Sequence, residues 1–221
     1  MNKNKIFQIA AWGIIIVSFM IAFALQKSPC FPEKVASHWN LNGQVDGYLS
    51  RFWGIFLMPI VSLAMFILFL FLPKIDPSKE NYKEFETYYN GFILILTLFL
   101  FYLYLLTILW NYGLRFDMGR LMIPALGVLF FYSGFLVEKA KTNWFVGIRT
   151  PWTLNSQIVW DKTHKTGGKL FKACGLISVF GFLFPKYAFY FVTIPVAIAS
   201  IFVFVYSYWL YRQNSLESKT G

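Results

Sequence analysis

The sequence predicts an all-α integral membrane protein, a bundle of six transmembrane helices with both termini cytoplasmic. Three observations carry this. Of the 221 residues, 57% are hydrophobic and 14% charged, against nearer a quarter charged in a soluble domain; a bilayer, not a soluble core, accommodates that apolar excess. The apolar residues gather in six runs, at 6–25, 52–72, 91–111, 119–137, 168–184 and 187–210, most of which reach the ~17–25 residues that cross the hydrocarbon. With the N-terminus inside, fourteen Lys and Arg fall on the inner side and six on the outer, which is the positive-inside bias.

The first run follows Met1-Asn2-Lys3-Asn4-Lys5, as a signal peptide would. It is long enough to span, and Lys27-Ser28-Pro29-Cys30 is a poor cleavage site, so a retained helix is expected. The loop 26–51 is then external. Within it Asn42-Gly43 predicts a small β-hairpin near 38–48, because both positions tolerate positive φ. An ideal two-residue turn sets Leu41 opposite Gln44 and Trp39 opposite Asp46, leaving His38 on the other face from Asp46. Gly127 and Gly134, seven apart in the fourth run, share a helical face and read as a packing groove. Pro124 and Pro195 are expected to kink the fourth and sixth spans. The fifth run is the shortest, and Pro185-Lys186 turns the chain into the sixth. Two units result: 1–75, a helix pair with its external loop, and 76–221, a four-helix unit with a cytoplasmic segment at 138–169.

Function classes narrow from the same facts. The net charge of +10 lies mainly in loops and at helix ends, which favours anionic lipid headgroups over direct binding of nucleic acid. No carboxylate, His or Arg sits in mid-span, which weighs against an ion-coupled transporter. No zinc-finger spacing, Walker loop or dinucleotide loop is present, so no cofactor and no metal is expected. Cys30 lies outside and Cys174 in a helix near the inner face, so no disulfide joins them.

Two candidate sites stand out. Outside, His38, Trp39, Asp46 and Tyr48 form a ligand- or partner-binding face. His38 and Asp46 are the types of a metal site or of a base with its orienter, but the expected register separates them. Inside, Asn143, Trp144, Arg149, Pro151, Trp152, Trp160, Lys162 and Lys165 form a partner- or lipid-binding segment. Trp144, Trp152 and Trp160 recur every eight residues, neither a helical stripe nor a strand alternation, and are expected to rest on the inner leaflet. Asn155 or Ser156 caps a short helix toward His164, which Gly167-Gly168 loosens or ends. Arg149 pairs with Glu138, with Asp161 or with a lipid phosphate. Lys162, Lys165, Lys169 and Lys172 share one face if the helix survives the glycines. Ser156, Asp161 and His164 are the types of a hydrolytic triad, but Ser156 lies two turns from His164 on one helix, so no enzyme is predicted.

The wording Asn143-Trp144-Phe145-Val146-Gly147-Ile148-Arg149-Thr150-Pro151-Trp152-Thr153-Leu154, followed by Trp160, Lys162, Thr163, Gly167-Gly168 and Leu170-Phe171, resembles the SdpI family. These are bacterial integral membrane proteins named for an immunity protein against a secreted killing peptide. Separately, Pro32, His38-Trp39, Gly43, Asp46-Gly47-Tyr48 and Arg51 resemble the uncharacterised domain that often precedes it. The two matches cover about half the chain. The resemblance implies a polytopic membrane protein of Gram-positive type that protects against a toxic peptide at the membrane. It implies no catalytic residues. It also implies a relay, in which a secreted toxin peptide is met outside and a repressor or other protein inside, with membrane lipids around both. A transporter or lipid-handling protein is the alternative, and a membrane enzyme the second.

Overall fold

The computed structural model describes residues 2–41 and 43–220. Among them six helices are long and apolar enough to cross a membrane: α1 (Lys3–Lys27), α2 (Arg51–Ile75), α3 (Tyr82–Asn111), α4 (Met118–Lys139), α6 (Gln157–Phe180) and α7 (Ala188–Thr220). A single turn, α5 (Pro151–Leu154), sits between α4 and α6, and a two-stranded sheet of β1 (Lys34–Trp39) and β2 (Val45–Ser50) joins α1 to α2. Short polar side chains start several helices by accepting backbone N–H groups that have no partner within the helix. Asn2 accepts from Asn4, Asp117 from Arg120 and Ser156 from Val159. Helix α4 runs through Pro124 unbroken.

The fifth span departs from expectation. Helix α6 begins at Gln157 and passes through Gly167-Gly168 without a break, so the second half of the expected cytoplasmic segment is the first three turns of a membrane helix. The glycines are packing positions. A Cβ on Gly168 would lie 2.6 Å from the Gly134 carbonyl oxygen, and one on Gly175 would lie 2.5 Å from that of Gly127. Both helices carry glycines seven residues apart, so the antiparallel pair meets at two points, Gly127 with Gly175 and Gly134 with Gly168. Small residues let backbones approach where lipid offers no hydrophobic drive to association. The packing groove expected at Gly127 and Gly134 is therefore present, with α6 as its occupant.

Helix α3 packs on α1 and α2 on one side and on α4 on the other, and α6 lies between α4 and α7. One apolar core lies toward the α1 N-terminus, around Ile15, Phe66, Tyr89, Leu136 and Trp160. A second lies toward the hairpin, around Leu25, Val35, Ile55 and Tyr104. Gln8 donates to buried Asn90 across the α1–α3 contact at 2.8 Å.

The hairpin is docked on the bundle. Asn111, at the end of α3, accepts from the Ala36 N–H at 2.8 Å and donates to the Ala36 carbonyl at 3.0 Å, as a neighbouring strand would. Arg51, first residue of α2, donates to the Leu25 and Ser28 carbonyls at the end of α1 and to Glu33. These contacts hold the last turn of α1, the start of α2 and the sheet as one piece. Asn111→Ala leaves both polar groups of fully buried Ala36 without that partner, at about 2 kcal/mol. Faster amide exchange at Ala36 and easier proteolysis within 34–50 are the expected readouts.

The turn residue Asn42 lies outside the described residues. The register around it differs from the ideal one. Trp39 pairs with Val45 and His38 with Gly47, with irregularities on either side of His38. The extra residues, Ser37 on β1 and Asp46 on β2, are bulges, which re-aim side chains. Asp46 is turned onto His38, whose Nδ1 lies 2.5 Å from the Asp46 carboxylate. The expected separation of these two residues is therefore overturned.

Candidate functional sites at the two ends of the bundle

The segment between α4 and α6 is organised by one side chain. Asn143 is fully buried. Its Oδ1 accepts from the N–H groups of Phe145 and Val146 at 2.9 and 2.6 Å, and its Nδ2 donates to the carbonyls of Lys141 and Val146 at 2.8 and 2.9 Å. An Asn amide, with two donors and a two-lone-pair acceptor, satisfies a tight loop in this way. The loop is tied in turn to the α2–α3 connection. Buried Asp76 accepts from the Trp144 N–H at 2.9 Å, Asn81 donates to the Thr142 carbonyl at 2.6 Å, and Lys141 pairs with Glu84 at 3.6 Å.

Under the loop lies a stack. Trp160 is fully buried, donates its indole N–H to the Ala140 carbonyl at 2.8 Å, and lies flat on His164 with ring centroids 3.8 Å apart. His164 Nε2 accepts from the Ile148 N–H at 2.9 Å, while Nδ1 faces the Trp160 carbonyl at 2.8 Å. An acceptor must carry no proton and a group facing a carbonyl must donate, so the imidazole is neutral with its proton on Nδ1. Gly147 makes this contact possible: its φ is +108°, and a Cβ there would lie 2.3 Å from His164 Nε2.

These contacts separate the expected inner-site residues. Asn143 and Trp160 build the loop from inside. Trp152 is half-buried, with its N–H on Ser207 at 2.5 Å and its ring against Phe204 and Tyr208. Of the three tryptophans only Trp144, 53% exposed, is free to meet a membrane surface, so a shared interfacial role for all three is overturned. Pro151 opens α5, and Thr150 and Thr153 close its N-terminus reciprocally, a capping-box geometry. Arg149 donates to the Trp144 carbonyl at 2.5 Å. Its expected carboxylate partners are engaged elsewhere, Glu138 with Lys172 and Asp161 with Gln157. Lys162, Lys165 and Lys169 are exposed along one face of continuous α6. Ser156 caps α6 and His164 serves the loop, so the three triad types serve three separate contacts.

At the other end, the His38–Asp46 pair is exposed, as is Tyr48. Trp39 packs edge-on against Trp110, over which Arg115 lies at 3.7 Å. Among the described residues no group of three or more His, Cys, Asp or Glu is placed to hold a metal. Between the hairpin and helices α2, α3, α4 and α7 is a cavity of about 590 Å³, walled by Trp39, Met58, Leu103, Met118, Met122 and Phe189, with Ser37, His38, Asn40 and Asp117 among its polar lining. Sequence reasoning found the hairpin side of this cavity and missed the helical side. It also missed Asp76, Asn111 and the structural use of His164; the seven-residue glycine spacing of the fourth run signalled a packing groove, and the same spacing at Gly168 and Gly175 was the unread signal that α6 fills it.

Residues 139–207 match the SdpI/YfhL protein family, and residues 13–63 match the domain of unknown function DUF1648. The chain is 27% identical to Immunity protein SdpI of Bacillus subtilis (strain 168) over 214 residues, covering 96% of this chain and 98% of that protein. No solved structure matches it. The Asn143 loop and the Trp160–His164 stack thus fall inside an SdpI/YfhL region, in a multi-pass membrane protein that is similar to SdpI along nearly its whole length.

Proposed function

We propose that the protein confers immunity to a membrane-active peptide, as an SdpI-type membrane protein. The observation that carries this is the alignment with Immunity protein SdpI across both chains nearly end to end, which takes in the hairpin as well as the inner loop. The distribution of Lys and Arg supports an orientation with both termini inside. The hairpin face, with His38, Trp39, Asp46 and Tyr48, then looks outward and is where the peptide would be met. The loop face, with Trp144, Arg149, Lys162 and Lys165, looks into the cell and offers exposed cations and one exposed indole to anionic lipid or to a protein partner. The role needs binding and no catalytic step.

A relay to an inner partner requires that the outer ligand favour one helix packing over another. The Asp76–Trp144 and Asn81–Thr142 contacts support such a coupling, because they join the α2–α3 connection to the inner loop and α2 begins at the hairpin. The test is expression in Bacillus subtilis lacking its own Immunity protein SdpI, challenged with the agent against which SdpI protects. Restored growth is expected. Unrestored growth with the protein correctly inserted rules the reading out.

A further inference from the structure

The cavity beneath the hairpin has features that a lipid-filled gap lacks. Three of the chain's six methionines, Met58, Met118 and Met122, line it. Methionine is flexible and polarizable, and recurs where a surface must accept apolar groups of varied shape. The same lining carries polar side chains, among them Ser37, Asn40 and Asp117. The wall also holds Trp39, whose buried indole N–H has no acceptor among the described residues, an unfavourable arrangement unless a further group supplies one. The comparison within the molecule is a groove of about 610 Å³ lined by Leu121, Ala125, Val128, Val179 and Phe180. That groove has the uniformly apolar lining an acyl chain needs. The hairpin cavity mixes apolar and polar lining instead, and a volume near 600 Å³ is in the range of small-ligand sites.

We propose that this cavity seats an apolar side chain of an extracellular peptide, with the peptide backbone lying along the Ser37–Asn40 segment and a carbonyl accepting from Trp39 Nε1–H after a small swing of the indole. The choice of a peptide rests on the immunity reading; the seat itself rests on the cavity. The ligand's anchor enters between Met118 and Met122 of α4 and Met58 of α2. Occupancy therefore bears on the helices that the hairpin joins to the rest of the bundle.

The test uses the full chain in phosphatidylcholine–phosphatidylglycerol nanodiscs and two photoreactive probes. One is an acetylated, amidated pentapeptide with photoreactive leucine at its centre; the other is a photoreactive palmitic acid. Peptide labelling concentrated on Met58 and Met118 is expected, with the fatty acid marking lipid-facing helices instead. Met122→Trp fills the cavity and is expected to lower peptide labelling at Met58 and Met118 about tenfold, the effect of a steric block on a single anchor. Leu103→Phe, a smaller filling on α3, guards against misfolding of the first variant and is expected to act in the same direction. Trp39→Phe keeps the ring and removes the donor, and is expected to weaken labelling about three- to tenfold. Peptide label spread evenly over the lipid-facing helices, equal entry of the fatty acid, or undiminished labelling in both filled variants overturns the seat. Undiminished labelling in Trp39→Phe alone overturns the carbonyl contact. Labelling needs no protected cell, so its failure and a failure of the growth experiment are read separately.

Discussion

Gly134→Val is expected to lower the stability of the detergent-solubilised protein by about 3 kcal/mol, the upper range for an overpacked contact, and to reduce the yield of folded material. The reason is geometric. A Cβ at this position lies 2.6 Å from the Gly168 carbonyl oxygen and 2.7 Å from the Lys172 backbone nitrogen. Backbone atoms in the middle of a helix do not move aside as a side-chain end does. The whole α4–α6 contact must open, and with it the partly buried Glu138–Lys172 pair one turn away. Parting those partly buried charges is costly, because each then loses its partner without regaining full hydration. Gly13→Val is the control. It places the same side chain in the same kind of helix, with nothing within 4 Å, and only the intrinsic preferences of Val and Gly in a helix act there. Thermal unfolding followed by near-ultraviolet circular dichroism separates the two. Equal stability of both variants contradicts the close approach of α4 and α6.

That contact also marks what was legible in the sequence. Five of the six spans announced themselves, because a helix facing lipid must be apolar nearly all round. The first half of α6 did not. Thr163, His164 and Gly167 face the protein interior and are buried, while Lys162, Lys165 and Lys169 face outward. Hydropathy sums along the chain and cannot register which way a polar side chain points, so the first turns of a membrane helix read as a loop while its second half, from Gly168, read as a span. Gly167-Gly168 compounded this. In water two adjacent glycines weaken a helix; against another helix in lipid the same residues admit a backbone. The inner site was legible in its wording but not in its division of labour, since Trp144 and Trp160 are equal in sequence and opposite in burial. The outer site failed on register. An ideal turn separates His38 from Asp46, and two bulges bring them together. Gly47 is the trace of this in the chain, since a Cβ there would lie 2.9 Å from the His38 Cβ, but a glycine in a strand signals a bulge only once its partner is known.

Asn143→Ala is expected to be the most damaging substitution in the loop between α4 and α6, costing about 3–5 kcal/mol. The side chain makes four hydrogen bonds to backbone groups of its own loop, and alanine replaces none of them. The site is fully buried, so water does not substitute freely, and each orphaned group carries its desolvation cost. Asn143→Asp distinguishes lost bonds from lost shape. It is nearly isosteric and keeps the two N–H acceptances, but sets a carboxylate oxygen against the Lys141 and Val146 carbonyls. Both variants are therefore expected to be destabilised, and amide exchange reads where. With alanine, Phe145 and Val146 exchange faster. With aspartate those two stay protected while the loop as a whole is less stable. The Trp144 amide carries the further information. It is held by Asp76 rather than Asn143, so its loss of protection in Asn143→Ala means that the loop and the α2–α3 connection open as one unit. A Trp144 amide that stays protected while Phe145 and Val146 exchange means that the two are independent. A loop that opens with the α2–α3 connection can pass a change in the packing of the first helices to its exposed Arg149 and Trp144, and one that opens alone cannot. The exchange pattern of this single variant therefore tests whether the molecule has the mechanical continuity that a relay from the hairpin requires.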